Sequence, residues 1–340
     1  MQRSSEILFN RILDVTACFH VPIKLFAIFI VATKTPKDQR YGSYFILNIM
    51  VWNFSANLVF AVIHLIPMFP AECFRIEGPL SQFIDDETFG QAMFLLTFCH
   101  LIEVTLALFY VFPYRYVVFA HPNIAEKIKP MWVYLFCGLL HVGIPLLFLH
   151  AGLNWRIRFD EYPDKAMLPD RELMSCLYPN GPEKLVPVIM YFLFIGICAT
   201  IILVFAVLIY RNVRYNKGIV HESTLKMQRR VLLNLFVLTG IVLCFGGIPM
   251  LIITFMGLFP EIQYASFITA VCEVLIANHG AVYAITLLIM IKSYRIAVKQ
   301  IFSDVYKQIF SKDSSGVQTE TKLFTHVRFV PPATSIVQTK

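Results

Sequence analysis

The stretch LVPVIMYFLFIGICATIILVFAVLIY, residues 185–210, contains no Asp, Glu, Lys or Arg. An α-helix rises about 1.5 Å per residue, so roughly 20 apolar residues are enough to cross a hydrocarbon core of about 30 Å. A helix that is apolar on every side must be surrounded by protein or by lipid. The stretch therefore predicts a membrane-spanning helix.

Six further runs of spanning length accompany it. The seven predicted spans are residues 12–33, 41–68, 89–112, 131–150, 185–210, 231–257 and 264–291. The chain is 57% hydrophobic and 15% charged, whereas about 25% of the residues in a soluble domain are charged. We therefore predict an all-α membrane protein, with a seven-transmembrane helix bundle in residues 1–296.

Positively charged residues lie mainly on one side of the predicted bundle. The loops 34–40, 113–130 and 211–230, together with the tail 292–340, carry 20 Lys and Arg residues, and the alternate loops carry 8. Because cytoplasmic loops are enriched in Lys and Arg, we predict an external N-terminus and a cytoplasmic C-terminus. The net charge of +7 is expected to face lipid head groups and a protein partner. Nucleic acid is not expected as a partner, because the cations lack interleaved aromatic residues.

The C-terminal region is predicted to contain a short amphipathic surface helix at 297–310. Its apolar residues recur at helical spacing, opposite a polar face, and are Val298, Ile301, Phe302, Val305 and Ile309. Such a helix is expected to lie on the inner membrane surface. Residues 311–340 are rich in Ser and Thr and lack an apolar period, so they are predicted to form a disordered cytoplasmic tail.

Two of the eight cysteines, Cys73 and Cys176, lie in loops that are predicted to be external. Disulfides persist in oxidising compartments, so we predict that these two cysteines pair and tie the second span to the loop before the fifth. Two free thiols are the alternative. The six cysteines within spans are expected to serve as small apolar side chains, and no metal site is expected.

Ionisable residues inside the spans are the main candidates for a functional site, because such residues are costly at bilayer depth and usually have partners. Lys24 and Glu273 are expected at similar depth and could form an intramembrane polar pair. Glu103 could pair with His141 or with His100. His100, Glu103 and Glu273 are candidate ligand-binding residues. The alternative is that these residues hold helices together and touch no ligand.

A bend is predicted in the sixth span at Gly246, Gly247 and Pro249. Proline removes a backbone donor, and glycine lets neighbouring helices approach closely. The bend could be a hinge or a static kink.

The cytoplasmic ends of the third, fifth and sixth spans carry a basic rim. Its residues are Arg115, Tyr116, Arg211, Arg214, Arg229 and Arg230. The third span is expected to end near Pro113, which would place Arg115 at the membrane boundary. Topogenic charge explains the number of cations but not the Tyr-Arg-Tyr arrangement at 114–116.

A series of short motifs gives the chain a resemblance to a known family. In order, they are KTPK at 34–37, YFILN at 44–48, Trp52, PYRY at 113–116, HG at 279–280 and YR at 294–295. Together they resemble the nematode serpentine chemoreceptors, particularly serpentine receptor classes H and I. The resemblance implies a G-protein-coupled receptor in the plasma membrane of sensory neurons, often in the cilium. Such a receptor binds an external small molecule and activates a heterotrimeric G protein.

The resemblance also implies roles for particular residues. Arg115 corresponds to the arginine of the helix-three motif, and the basic rim is the expected G-protein contact. Two positions depart from the rhodopsin-like pattern, because Tyr114 replaces the acidic residue before that arginine, and His279-Gly280 stands where Asn-Pro is usual. An acid–arginine lock is therefore not expected.

Two other functions compete with a receptor. A seven-span ligand-gated channel would place the N-terminus inside, against the distribution of cations. A transporter usually shows internal repeats, and the sequence shows none. An enzyme is not expected and neither is a cofactor, because no catalytic triad or glycine-rich phosphate loop occurs in an exposed position. The sequence does not decide whether the receptor forms a dimer.

Overall fold

The structure is a computed structural model that describes residues 3–36, 40–83, 86–163, 168, 174–215 and 222–311. Its helices are α1 (Arg3–Lys34), α2 (Arg40–Val62), α3 (Glu87–Ala120), α4 (Pro122–Lys127), α5 (Pro130–Trp155), α6 (Pro182–Tyr215), α7 (Glu222–Val242), α8 (Ile248–Leu258), α9 (Ala265–Met290) and α10 (Lys292–Ser311). A π-helical segment, Leu243–Gly247, joins α7 to α8. Its strands are β1 (His64–Pro67), β2 (Cys73–Glu77), β3 (Arg156–Ile157) and β4 (Met174–Leu177).

Seven helical segments of the described chain are long and apolar enough to cross a membrane. They are α1, α2, α3, α5, α6, the continuous segment from α7 to α8, and α9. The predicted seven-transmembrane bundle is confirmed. Five of the seven helices extend beyond the apolar run that located them, because helical hydrogen bonding does not stop where the hydrocarbon ends.

Helix α3 lies at the centre of the bundle. It contacts α2, α5 and α6, and the ring is closed by contacts between α9 and both α1 and α2. The buried apolar core includes Ile102, Leu106 and Tyr110 of α3, which pack with Phe148 of α5 and Tyr191 of α6. Polar side chains that point from α3 therefore point into protein rather than into lipid.

The second span is shorter than the sequence predicts. Helix α2 ends at Val62, and His64–Pro67 forms strand β1 instead of continuing the helix to residue 68. Strand β1 pairs with β2, so its backbone groups are satisfied without a further helical turn. The prediction was wrong here because a short apolar run fits a buried strand as well as a helix.

The third span is longer than the sequence predicts. Pro113 lies inside α3, which continues to Ala120. Arg115 is therefore more than one turn from the helix end, and the expectation that it closes the third span was wrong. Proline inside a membrane helix is tolerated because neighbouring groups can satisfy the freed carbonyl.

The four strands form an antiparallel sheet in the order β1-β2-β4-β3. We call the end of the bundle that carries this sheet the sheet end. The opposite end, with the described residues 34–36, 113–130, 211–215 and 222–230, is called the loop end. Cys73 in β2 and Cys176 in β4 lie opposite each other and form a disulfide, with 4.1 Å between their α-carbons. The sheet is therefore covalently closed between the second and fifth spans, in the pairing that the sequence predicts.

The sheet is also fixed to the first helix. Arg75 of β2 contacts Glu6 of α1 and Glu77 of its own strand, both at 2.6 Å. Gly78 follows β2 with a φ of 110°, and a Cβ there would lie 2.9 Å from the Val62 carbonyl oxygen. This turn therefore requires glycine.

The chain divides into two compact units, Met1–Val298 and Lys299–Lys340. Helix α10 includes the whole segment predicted as an amphipathic helix at 297–310, and its placement on a membrane surface stays a prediction. The predicted disordered tail lies outside the described residues beyond Ser311.

Candidate functional site

The bundle encloses a cavity of about 110 Å³ beneath the sheet. Strands β1, β2 and β4 cover it, and α3, α5, α6, α8 and α9 form most of its walls. Most of the lining is apolar, and seven of the lining side chains are aromatic: Phe60, Phe69, Phe74, Phe94, Phe98, Trp155 and Tyr191. A concave and mostly apolar cavity with few polar groups is the usual form of a small-molecule site.

Among the described residues that line the cavity, Glu72 and Glu273 are the ones with a carboxyl group. Glu72 precedes β2 and accepts a hydrogen bond from the ammonium group of Lys184 at the start of α6. Its backbone N–H donates to the Tyr162 hydroxyl at 2.9 Å. Burial raises the pKa of Glu72 to about 7, and the neighbouring Lys184 acts in the opposite direction. Glu72 is thus held by a cation of the protein.

Glu273 of α9 has no such partner. Its side chain is 4% exposed, and its Oε2 atom is buried without a hydrogen-bond partner in the described structure. The polar pair of Lys24 with Glu273 was a wrong prediction, because Lys24 donates to Asn57 Oδ1 instead. Lys24 is level with Gly280, which is seven residues, or about 10 Å, along α9 from Glu273.

Polar contacts fix α1, α2 and α9 to one another at this level. The Asn57 amide donates to the Ala277 carbonyl oxygen while its own oxygen accepts from Lys24. A Cβ on Gly280 would overlap the side chains of Asn53 and Lys24, so only glycine fits here without rearrangement. Lys24 therefore has a structural role, because it helps to fix the packing of α9 against α1 and α2.

The other two candidate ligand residues point away from the cavity. Glu103 contacts His141 Nδ1 of α5, so the sequence prediction of a pair across the third and fourth spans holds in the structure. His100 Nε2 lies 2.8 Å from Ser55 Oγ of α2, and Trp52 stacks on the His141 ring at 5.7 Å. Neither Glu103 nor His100 is among the described residues that line the cavity. Their placement gives them structural partners and does not support the expectation that they bind ligand.

The position at which the sequence predicts a bend in the sixth span contains the π-helical segment Leu243–Gly247, and Pro249 follows in the first turn of α8. A Cβ on Gly246 would lie 3.6 Å from the ring of His279 in α9. His279 Nε2 is 2.5 Å from Asn53 Nδ2, and Nδ1 faces the Ile276 carbonyl oxygen. The irregular segment thus packs on a polar contact between α2 and α9, and such π segments are frequent at functional sites.

The basic rim at the loop end divides into a half-buried part and an exposed part. Arg115 packs on α2, where a Cβ on Gly42 would lie 2.9 Å from its Nη2 atom, and its guanidinium lies 5.9 Å from the centre of the Tyr114 ring. Burial raises the pKa of Tyr294, and the Thr35 hydroxyl and the Arg115 guanidinium act in the opposite direction. Tyr116 faces Phe205 of α6, with ring centres 5.4 Å apart. Arg115 is therefore half-buried against α2 and the Tyr114 ring.

The remaining arginines of the rim are exposed: Arg211, Arg214, Arg229 and Arg230. Arg214 and Arg229 line a groove of about 370 Å³ between α6 and α7, together with the apolar residues Leu232 and Phe236. The groove combines positive charge with an apolar base. It is suited to a helical peptide that presents an apolar face and an acidic or carboxylate group.

Some residues of this architecture were missed in the sequence. Asn53 and Asn57 are spaced i, i+4 within an apolar span, and that pattern alone could have marked a polar face turned toward the bundle interior. Glu72 and Lys184 are far apart in the chain and lie in or beside loops, so no spacing pattern joins them.

Comparison with known proteins identifies the family. A search of curated proteins finds no significant match. The family model described as "Serpentine type 7TM GPCR chemoreceptor Srh" matches residues 4–304, which include all seven spans, the sheet and the cavity. Because the match covers far more than half of the chain, this multi-pass membrane protein belongs to the Srh family of serpentine seven-transmembrane chemoreceptors.

Proposed function

We propose that the protein is a chemosensory receptor that binds an external small molecule in the cavity beneath the sheet and activates a heterotrimeric G protein at the loop end. The observation that carries the proposal is the cavity itself, which is apolar, lined by aromatic rings and covered by a disulfide-closed sheet. Its position at one end of the bundle leaves the other end for a partner. A receptor needs this separation of ligand from effector.

The proposed orientation puts the sheet end outside the cell, in the plasma membrane of a sensory neuron and its cilium. The excess of Lys and Arg in the loops of the other end supports it. The disulfide between Cys73 and Cys176 supports it as well, because such bonds persist on the external side.

Ligand binding would act on the sixth span. Met250, Ile253, Thr254 and Gly257 of α8 line the cavity, and the π-helical segment lies immediately before them in the chain. A ligand that draws α8 toward α9 would change the contact between Gly246 and His279. That change would favour a packing in which α7 moves outward at the loop end. To shift the population, the ligand must bind this packing more tightly by a few kcal/mol.

The proposed G-protein surface is the groove between α6 and α7 with its exposed arginines. Outward movement of α7 would widen this groove and give access to Arg115, which is held against α2 in the present packing. Arg214 and Arg229 would then pair with acidic or carboxylate groups of the G-protein terminus.

A cell-based assay tests the proposal. Cells expressing the chain with a promiscuous G protein are screened by calcium imaging with volatile and water-soluble compounds. For any active compound, Arg214→Ala/Arg229→Ala and Arg115→Ala are expected to reduce the response at least tenfold at equal surface expression. Lys127→Ala/Lys129→Ala removes the same charge from the same end and should leave the response unchanged. An unaltered response in the first two variants would refute the assigned coupling surface.

A further inference from the structure

We propose that the cavity beneath the sheet selects small organic amines, with the protonated nitrogen on Glu273 and an apolar body among the aromatic rings. The proposal rests on the proposed function only in taking this cavity as the ligand site. It adds the chemical class of the ligand and the residue that recognises it.

The first step of the argument is the state of Glu273. The residue lines the cavity, is 4% exposed, and has a buried Oε2 atom without a hydrogen-bond partner in the described structure. A buried carboxyl group without a partner is costly, and a buried charge is retained when a counter-ion pairs with it. Lys24, the ammonium group that the sequence suggested as its partner, lies at a level about 10 Å farther along α9 and is bound to Asn57 instead. The position is therefore open to a cation from outside.

The second step is the sign of the electrostatic charge on the cavity lining. Among the described lining residues the formally charged side chains are Glu72 and Glu273, so the lining itself supplies acidic groups. Glu72 is already compensated by Lys184. The faces of aromatic rings carry negative electrostatic potential and attract ammonium groups, and Phe98, Trp155 and Tyr191 are among the rings present. Carboxylate and rings together favour a cation over an anion or a neutral molecule.

The third step is size. The cavity measures about 110 Å³, well below the roughly 300 Å³ at the lower end of sites for drug-sized ligands. An apolar protein cavity of about 150 Å³ accommodates benzene. Since this cavity has about three quarters of that volume, the expected ligand is an amine of about five non-hydrogen atoms in all, with a small branched or linear apolar body such as isobutyl.

The test uses the purified full chain in detergent, without a G protein. Isobutylamine and butylamine, protonated at neutral pH, are compared with the uncharged isobutanol and butanol by thermal stabilisation. In the unmodified chain the amines should half-saturate at concentrations at least tenfold lower than the alcohols. Glu273→Gln should remove that preference and leave alcohol binding unchanged, and Glu273→Asp should keep the preference in weakened form. Glu161→Gln, which removes an exposed carboxylate near the sheet, is the matched control and should behave like the unmodified chain.

Equal binding of amines and alcohols, absence of binding by either amine, or an amine preference that survives in Glu273→Gln would each overturn the proposal. If Glu273→Gln cannot be recovered folded, the amine-to-alcohol ratio of the unmodified chain and of Glu273→Asp decides the matter. Failure of the proposed function looks different. Amines would then bind through Glu273 in the purified chain and evoke no G-protein response in cells.

Discussion

Replacement of Gly280 by alanine tests how closely α9 approaches α1 and α2. A Cβ at this position would lie 2.5 Å from Asn53 Cγ and 2.7 Å from Lys24 Cε, far inside van der Waals contact. Both side chains are already engaged, Lys24 with Asn57 and Asn53 with His279. Neither side chain can therefore move aside without losing a hydrogen bond between helices.

The expected cost follows from these contacts. Overpacking of a well-packed interior typically costs about 1–3 kcal/mol, and each hydrogen bond lost between membrane helices adds about 0.6 kcal/mol. Alanine recovers roughly 0.5–1 kcal/mol because it favours the helix more than glycine does. We expect Gly280→Ala to lower the free energy of unfolding by about 1–3 kcal/mol.

The apparent melting temperature of the purified protein in detergent measures this loss. At about 2 °C per kcal/mol for a chain of this size, the decrease should be about 2–6 °C. Gly196→Ala in α6 and Gly138→Ala in α5 are matched controls, because a Cβ at either position meets nothing within 4 Å. They should melt at the same temperature as the unmodified protein or higher. If Gly280→Ala melts with these controls, the close approach of the helices is refuted.

Three further predictions concern the sheet and the third span. Cys73→Ser opens a loop that spans 103 residues, and the chain-entropy model assigns such a bond about 4.7 kcal/mol. The melting temperature of Cys73→Ser should match that of Cys73→Ser/Cys176→Ser, and a further loss in the double variant would argue against the bond. Burial raises the pKa of Glu72 from its ordinary 4.5 to about 7, so its contribution to stability is present below pH 4.5 and declines as the pH rises to 7. Glu72→Gln should remove that decline from the melting profile, and an unchanged slope would contradict the assignment. His141→Ala leaves Glu103 buried without its partner and should cost about 3 kcal/mol of stability. Adding Glu103→Gln to that variant should recover part of the loss. Strictly additive shifts of the melting temperature would show that the two residues are uncoupled.

The spans could be predicted from the sequence because lipid imposes a simple requirement. Every spanning helix needs a long apolar run, and all seven runs contain a helix in the structure. The boundaries were less predictable, since apolar length does not separate a helix from a short strand, as His64–Pro67 shows. The third span was likewise expected to end near Pro113, where its apolar run ends, although α3 continues to Ala120.

The types of residue at the site could be predicted from the sequence, but the partners that they contact could not. Ionisable residues in the spans did mark the polar interior of the bundle, and Glu273 lines the cavity. The partners depend on helix rotation and on exact depth, which the sequence does not encode in any local pattern. The sequence left two partners open for Glu103, His141 and His100, and in the structure Glu103 contacts His141. Lys24 found Asn57 rather than Glu273, because Gly280 lets α9 approach at the level of Lys24.

Helix α5 is the least buried of the seven spanning segments in the described structure. Its buried residues, Phe148, Ala151 and Gly152, all lie near the sheet end, and the Glu103–His141 contact lies farther along the helix. Lipid chains are therefore the main solvent of this helix, and its tilt responds to hydrophobic mismatch more readily than that of its neighbours. We therefore expect a change in membrane thickness or sterol content to act first on the tilt of α5, and the contact between Glu103 and His141 to pass that tilt to α3 at the centre of the bundle.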